Sequence, residues 1–168
     1  MDTQVLLTKA KGGFNTLDVS QKYIDSAVKW LEIWLSDPMF SDYVHQIQHL
    51  IKNERWNFLL DAFYQVIPFG TGGRRGLVGI GPNRINTWTI QASAQGHSQY
   101  LIKMFGEEAK QRGVVLTYDV RKYVQKGVYD DSAPNPVINL DGRQLAIAAA
   151  EVYTANQIKV YMYDETRS

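Results

Sequence analysis

Apolar residues recur three and four positions apart through the first third of the chain. Ile24, Ala27, Val28, Leu31, Trp34 and Leu35 form one stripe. Tyr43, Ile47, Leu50 and Ile51 form a second, and Phe58, Leu59, Ala62, Phe63 and Val66 a third. That period puts each stripe on one face of a helix and predicts three amphipathic helices that pack through those faces. Asp18 followed by Gln21 fits a capping box at the start of the first. Asp37-Pro38 ends that helix or opens the next, because proline fits only a first helical turn. Trp30 and Trp34, one turn apart, read as packing residues.

The pattern changes at Pro68. The run Phe69-Gly70-Thr71-Gly72-Gly73-Arg74-Arg75-Gly76 is a glycine-rich loop, and Leu77 to Pro82 continues it with short extended pieces. Asn86 caps a helix predicted from Thr87 to about Gln111, with Ile90, Ala94, His97, Leu101 and Phe105 on one face and Gly113 as its stop. Val114 to Tyr118 is apolar and β-branched, which predicts a buried strand. Arg121 to Leu140 reads as a long loop containing Pro134 and Pro136. An alanine-rich helix follows over Arg143 to Asn156, suited to close packing on a sheet, and then a strand over Ile158 to Tyr163. Strands alternating with helices predict an α/β fold. The expected layout is a helical N-terminal extension, residues 1–66, ahead of a three-layer α/β/α domain, residues 67–168, with a mixed sheet and crossover helices.

Composition narrows the class. The chain has 168 residues, 45% of them hydrophobic and 21% charged, which suits a single globular core. Cysteine is absent, so disulfides, thiolate metal sites and cysteine nucleophiles are excluded. No run of about 18 apolar residues is present to span a membrane, and residues 1–15 show no secretory pattern. A cytoplasmic location is the default expectation. The net charge is +1, yet Ala62 to Gly106 holds no acid and four cations, Arg74, Arg75, Arg84 and Lys103. Such a block suits an anion, since no carboxylate within it competes for the guanidinium groups.

The glycine-rich loop concentrates that chemistry. Several glycines let backbone N–H groups approach an anion while guanidinium forks hold it; the same residues equally suit a tight turn whose arginines face water. The loop lacks the Lys-Ser/Thr of a P-loop, and Arg75 stands where a dinucleotide fingerprint has its third glycine.

In its order of motifs the chain resembles the α-D-phosphohexomutase superfamily, whose loop usually reads Phe-Gly-Thr-(Ala/Ser/Gly)-Gly-Leu-Arg-Gly. Gly81-Pro82-Asn83-Arg84-Ile85-Asn86 and the helix opening Thr89-Ile90-Gln91-Ala92-Ser93-Ala94-Gln95-Gly96 continue the likeness. So do Val114 to Arg121, a strand ending in Tyr-Asp-x-Arg, and the segment from Arg143 to Tyr161. The similarity runs from about Ile67 to Tyr163, and the helical extension resembles the long phosphoglucomutase and phosphopentomutase-like branch.

The resemblance implies a phosphosugar mutase that moves a phosphoryl group between C1 and C6 of a hexose phosphate, or equivalent positions of a pentose phosphate. It implies an active-site phosphoserine, Mg2+, a sugar bisphosphate intermediate, and a phosphosugar substrate, glucose phosphate foremost. Arg75 falls on the family's loop arginine, with Thr71, Gly72, Gly73 and Arg74 shaping the loop and Asp119 and Arg121 in support. Arg74 replaces the usual leucine, a departure that either adds anion affinity or leaves a side chain pointing to solvent. The family's serine loop, magnesium loop and sugar loop do not occur in these 168 residues. The resemblance thus implies that the α/β/α domain is partial, and the chain is expected to hold no metal, to lack turnover alone, and to work with remaining domains of the same polypeptide.

Other residue groups read as structural. Ser132-Ala133-Pro134-Asn135-Pro136 precedes the Arg143 helix, the wrong side for the serine loop, and reads as a proline turn. Asp130-Asp131 lacks a third ligand and reads as a solvated turn, while His45 and His49, four apart, lack the glutamate and third ligand of a zinc protease motif and read as surface or interface residues. His97 reads as a satisfied core residue. Two competing readings are an anion- or nucleic-acid-binding module gripping phosphates with Arg74, Arg75 and Arg84, and a catalytically dead relative acting as a partner. The near-neutral charge, with a pI of about 7.9, disfavours nucleic acid.

Overall fold

The computed structural model describes residues 2–163; the end of the predicted 67–168 domain, beyond 163, lies outside the described residues. The chain forms two compact units, each drawn from two stretches of sequence. The first comprises residues up to Ile85 together with Gln125–Ile138, and the second Asn86–Val124 with the chain from Asn139 onward.

In the first unit, helices α1 (Thr3–Phe14), α2 (Gln21–Ser36), α3 (Ser41–Lys52) and α4 (Trp56–Phe63) bury their apolar stripes against one another. Trp34 is fully buried at their centre, stacked on Phe40 at 4.3 Å between ring centroids and edge-on to Phe63 at 5.6 Å. The three expected helices are present. The period did not reveal α1, whose buried Leu6, Leu7, Ala10 and Phe14 are interleaved with glycines and lysines. Gly13 lies under the Trp56 ring, where a Cβ would come within 2.3 Å, so this glycine permits the contact between α1 and α4. Asp18 is not the cap of α2: Ser20 takes that place, without a side-chain bond. Asp37 does cap, accepting from the Met39 N–H at the start of a short 3-10 turn over Pro38–Phe40.

The return segment 125–138 is fastened to α3 by Gln46, which is fully buried. Its amide donates to the carbonyls of Asp130 and Pro134, at 3.1 and 2.8 Å, and accepts the Asp130 N–H at 2.8 Å.

The second unit contains α5 (Thr87–Phe105), α6 (Glu107–Arg112), β3 (Val114–Leu116), α7 (Gly142–Ala155) and β4 (Val160–Met162). β3 and β4 are parallel, with Val115 opposite Tyr161, and α7 lies on the connection between them. The fold class is α/β, as the alternation predicts. Asn86 and Thr89 form a reciprocal capping box on α5, and Asp141 and Gln144 form one on α7. Ala94, Ala149, Tyr153 and Ile158 make the core, with Val114, Leu116 and Val160 packed against it.

Three expectations are corrected here. The helix predicted to run to Gln111 breaks at Gly106, whose φ of +57° ends α5 before α6 begins. The strand expected to be buried exposes Val115 at 67%, since only one face of the pair is covered by the core helices. α7 uses its buried alanines chiefly for close packing along α5.

Gly81 has a left-handed φ of +124°, and a Cβ there would lie 2.5 Å from the Ala62 carbonyl oxygen. Gly81→Ala should cost about 2 kcal/mol or more through strain and clash. A urea-denaturation midpoint equal to that of the parent would contradict this close approach.

Candidate functional site

The glycine-rich loop is a minimal hairpin of the first unit. β1 (Phe69–Gly70) and β2 (Gly73–Arg74) pair antiparallel, with Phe69 opposite Arg74 and Gly70 opposite Gly73, so Thr71 and Gly72 form the turn. Gly73 takes a φ of +100°, a conformation open to glycine and strained for most other residues. At Gly72 an added Cβ would be 3.4 Å from the Arg75 Nη2, so the guanidinium bends back over the turn. Thr71, Gly72 and Arg75 are exposed, and Arg74 is half-buried, its burial lowering its pKa. Chemically, this is exposed backbone at a tight turn with a permanent cation against it, an arrangement that can accept an oxyanion.

Both stems of the hairpin rest on one short strip of chain. Before the loop, the Ile67 N–H donates to the Pro82 carbonyl at 2.9 Å. After it, the Ile85 N–H donates to Leu77 at 2.8 Å and the Gly79 N–H donates to Ile85 at 3.1 Å. The strip is in turn tied to α4: the Asn83 N–H bonds the Ala62 carbonyl at 3.0 Å and its amide bonds the Asp61 carbonyl at 2.8 Å.

Arg84 does not behave as the acid-free block suggests. It is 3% exposed, and its Nη2 lies 2.6 Å from the Asp61 carboxylate, with Nη1 at 3.1 Å from the Asn83 carbonyl. Its guanidinium also stands 5.3 Å over the Phe58 ring. The competing carboxylate comes from Asp61, the last residue before the block, so Arg84 is occupied within the fold.

Asp119 and Arg121 belong to the second unit and pair with each other. Asp119 Oδ2 accepts from Arg121 Nε at 2.7 Å and from Nη2 at 2.5 Å, while Oδ1 accepts the Arg121 N–H at 3.0 Å. Both side chains are exposed. The segment is anchored to the start of α7, where Gly142 packs so tightly on Asp119 that a Cβ would overlap its carbonyl oxygen.

Mouse phosphopentomutase is 30% identical over 149 residues, covering 89% of this chain and 21% of that protein. Mouse glucose 1,6-bisphosphate synthase is 32% identical over 141 residues, covering 83% of this chain and 20% of that protein. A phosphoglucomutase of Staphylococcus haemolyticus is 29% identical over 107 residues, covering 64% of this chain and 16% of that protein. The chain belongs to the α-D-phosphohexomutase superfamily. It spans about a fifth of the length of the first two of these relatives. No protein-family profile and no solved structure matches it.

The other polar groups singled out in the sequence are held by neighbours. Ser132 donates its hydroxyl and N–H to Asp130 Oδ1, at 2.6 and 3.0 Å, as a turn residue. His45 Nε2 is 2.9 Å and His49 Nδ1 3.8 Å from Asp130 Oδ2. The Ser132 hydroxyl first, and then His45, hold the Asp130 carboxyl well below the usual range. Asp131 accepts the Gly127 N–H at 3.0 Å. His97 is satisfied, its Nδ1 2.7 Å from the Tyr153 hydroxyl, but the residue as a whole is exposed and not part of the core. Burial raises the Tyr153 pKa. Among the described residues no three His, Asp or Glu side chains converge to hold a metal ion, and no helix is long and apolar enough to cross a membrane.

The Arg121 side chain, and then its N–H, lower the Asp119 pKa. A depressed carboxyl pKa stabilises the fold above the ordinary value and loses that effect as pH falls through the lowered one. A carboxyl-carbon NMR titration should place Asp119 below the ordinary value, about 3.9. Arg121→Gln should move the midpoint upward, and an unmoved midpoint would refute the pairing.

Proposed function

We propose that this chain supplies a phosphate-binding loop to a phosphosugar mutase acting on a hexose phosphate, glucose phosphate foremost. The observation that carries the reading is the Arg75 guanidinium folded over the exposed Thr71-Gly72 turn. A guanidinium fork donates two parallel N–H bonds to a phosphate, and its charge does not depend on pH in the working range. Phosphoryl transfer needs little covalent help from the protein beyond positioning and fixed positive charge around the transferring group. In this reading Arg75 supplies the charge, Thr71, Gly72 and Gly73 supply the turn, and Arg74 adds a second cation beside it. Asp119 and Arg121 act as a preformed pair, the guanidinium held by the carboxylate.

The phosphoserine and the sugar-reading residues are assigned outside these 168 residues, in further domains of the same polypeptide. The Mg2+ implied by the family resemblance finds no ligand set among the described residues. A sugar bisphosphate is the intermediate of the whole enzyme in this proposal, with residues 1–66 as a helical extension ahead of the mutase domain. The engagement of Arg84 by Asp61 argues against the nucleic-acid reading, because it occupies one of the three arginines proposed to hold phosphates.

Two measurements test the proposal. Arg75→Gln should weaken the binding of glucose 6-phosphate by about tenfold or more, the worth of one charge-assisted contact. Equal affinities in calorimetry would remove Arg75 from the site. The 168-residue chain alone, given glucose 1-phosphate, should form no glucose 6-phosphate; turnover would place the reacting groups within it.

A further inference from the structure

We infer that Asp61 and Arg84 form a positioning pair that sets the alignment of the phosphate-binding loop. The inference rests on the loop reading above. Neither residue needs to touch the anion.

The physical chain has three links. Arg75 sits against the turn at Gly72, so its aim follows the hairpin. The stems of the hairpin are bonded to the strip through Ile67–Pro82, Ile85–Leu77 and Gly79–Ile85. The strip is clamped to α4 by the buried Arg84, which binds the Asp61 carboxylate at 2.6 Å and lies over Phe58, two residues of that helix. Tyr129 reinforces the clamp. Its buried hydroxyl accepts the Ile80 N–H at 2.9 Å, and its ring meets Phe58 edge-on at 5.9 Å. Asp61 is itself about half exposed, with its side chain at 57%, so its carboxylate can be altered without opening the core.

Charge and alignment predict opposite effects for one substitution, which makes the idea decidable. Asp61→Asn removes a negative charge from the first unit, and the field alone would then favour anion binding. It also replaces the anionic acceptor of Arg84 by a neutral amide oxygen, which ends the ion pair, loosens the clamp and misaligns the loop. A positioning role therefore predicts weaker anion binding from a more positive protein. Arg84→Lys keeps the charge but loses the planar fork, so it should weaken binding by the same route.

The experiment is calorimetric titration of the 168-residue chain with inorganic phosphate, with thermal unfolding recorded for every variant. Asp61→Asn and Arg84→Lys should each bind about tenfold more weakly than the parent while remaining folded at the assay temperature. Ile24→Val, a core change in α2, lowers stability without touching the strip and should bind as the parent does. Binding by both clamp variants at parental strength or better overturns the inference while leaving the loop reading intact, provided Arg75→Gln abolishes binding. Equal weakening in Ile24→Val also overturns it, since general instability would then account for the effect. If Arg75→Gln binds like the parent, the loop reading and the inference fall together.

Discussion

A guanidinium does not lose its proton inside a protein, so a buried arginine must be met by acceptors wherever it lies. Arg84 is such a residue, almost wholly enclosed, and its acceptors define much of what surrounds it. The Asp61 carboxylate, the Asn83 carbonyl and the face of Phe58 together hold the charge. Separating α4 from the strip between Pro82 and Ile85 would strand that charge, at a cost of several kcal/mol. The tight contact of Gly81 on the Ala62 carbonyl follows from the same apposition, since only a residue without Cβ fits there. The loop therefore extends from a fixed base, although its own tip is exposed.

This arrangement alters how the charge pattern should be read. Four cations in an acid-free stretch suggest one positive surface, but sequence adjacency is a poor guide to electrostatic adjacency. Arg84 and Asp61 are 23 residues apart in sequence, yet their side chains lie 2.6 Å from each other. Arg74 and Arg75 remain as the positive charge of the loop. By contrast, Asp119 and Arg121 lie two residues apart, close enough for the carboxylate to accept the backbone and the side chain of its partner together.

The same distinction separates what was legible in the sequence from what was not. α2, α3 and α4 were readable because each repeats apolar residues with a helical period, and Asn86 was readable because a cap acts over three residues. The glycine-arginine loop was readable because its chemistry is contiguous. α1 was hidden by Gly12 and Gly13, which lower helix propensity, although Gly13 also makes room for Trp56. The break at Gly106 was hidden because an apolar stripe can continue across a short interruption. His97 lies on the apolar stripe, yet the stripe is wider than the surface α5 buries, so the ring reaches Tyr153 from an exposed position. Asp61–Arg84 and Tyr129–Ile80 carried no local signal at all, because both depend on segments that meet only after folding.

The buried amide of Gln46 bears on the order in which this chain can be made. Its partners at Asp130 and Pro134 lie 84 and 88 residues further along. A ribosome adds about 5–20 residues each second, so the helix carrying Gln46 waits roughly 4 to 17 s for them. In that interval the first half of the second unit is synthesised, between two parts of the first. The N-terminal helices can associate early, but the seat for residues 125–138 stays open to water until the later segment emerges. A nascent chain of this design passes through a stage in which one polar side chain, already set among apolar neighbours, is the receptor for sequence not yet translated.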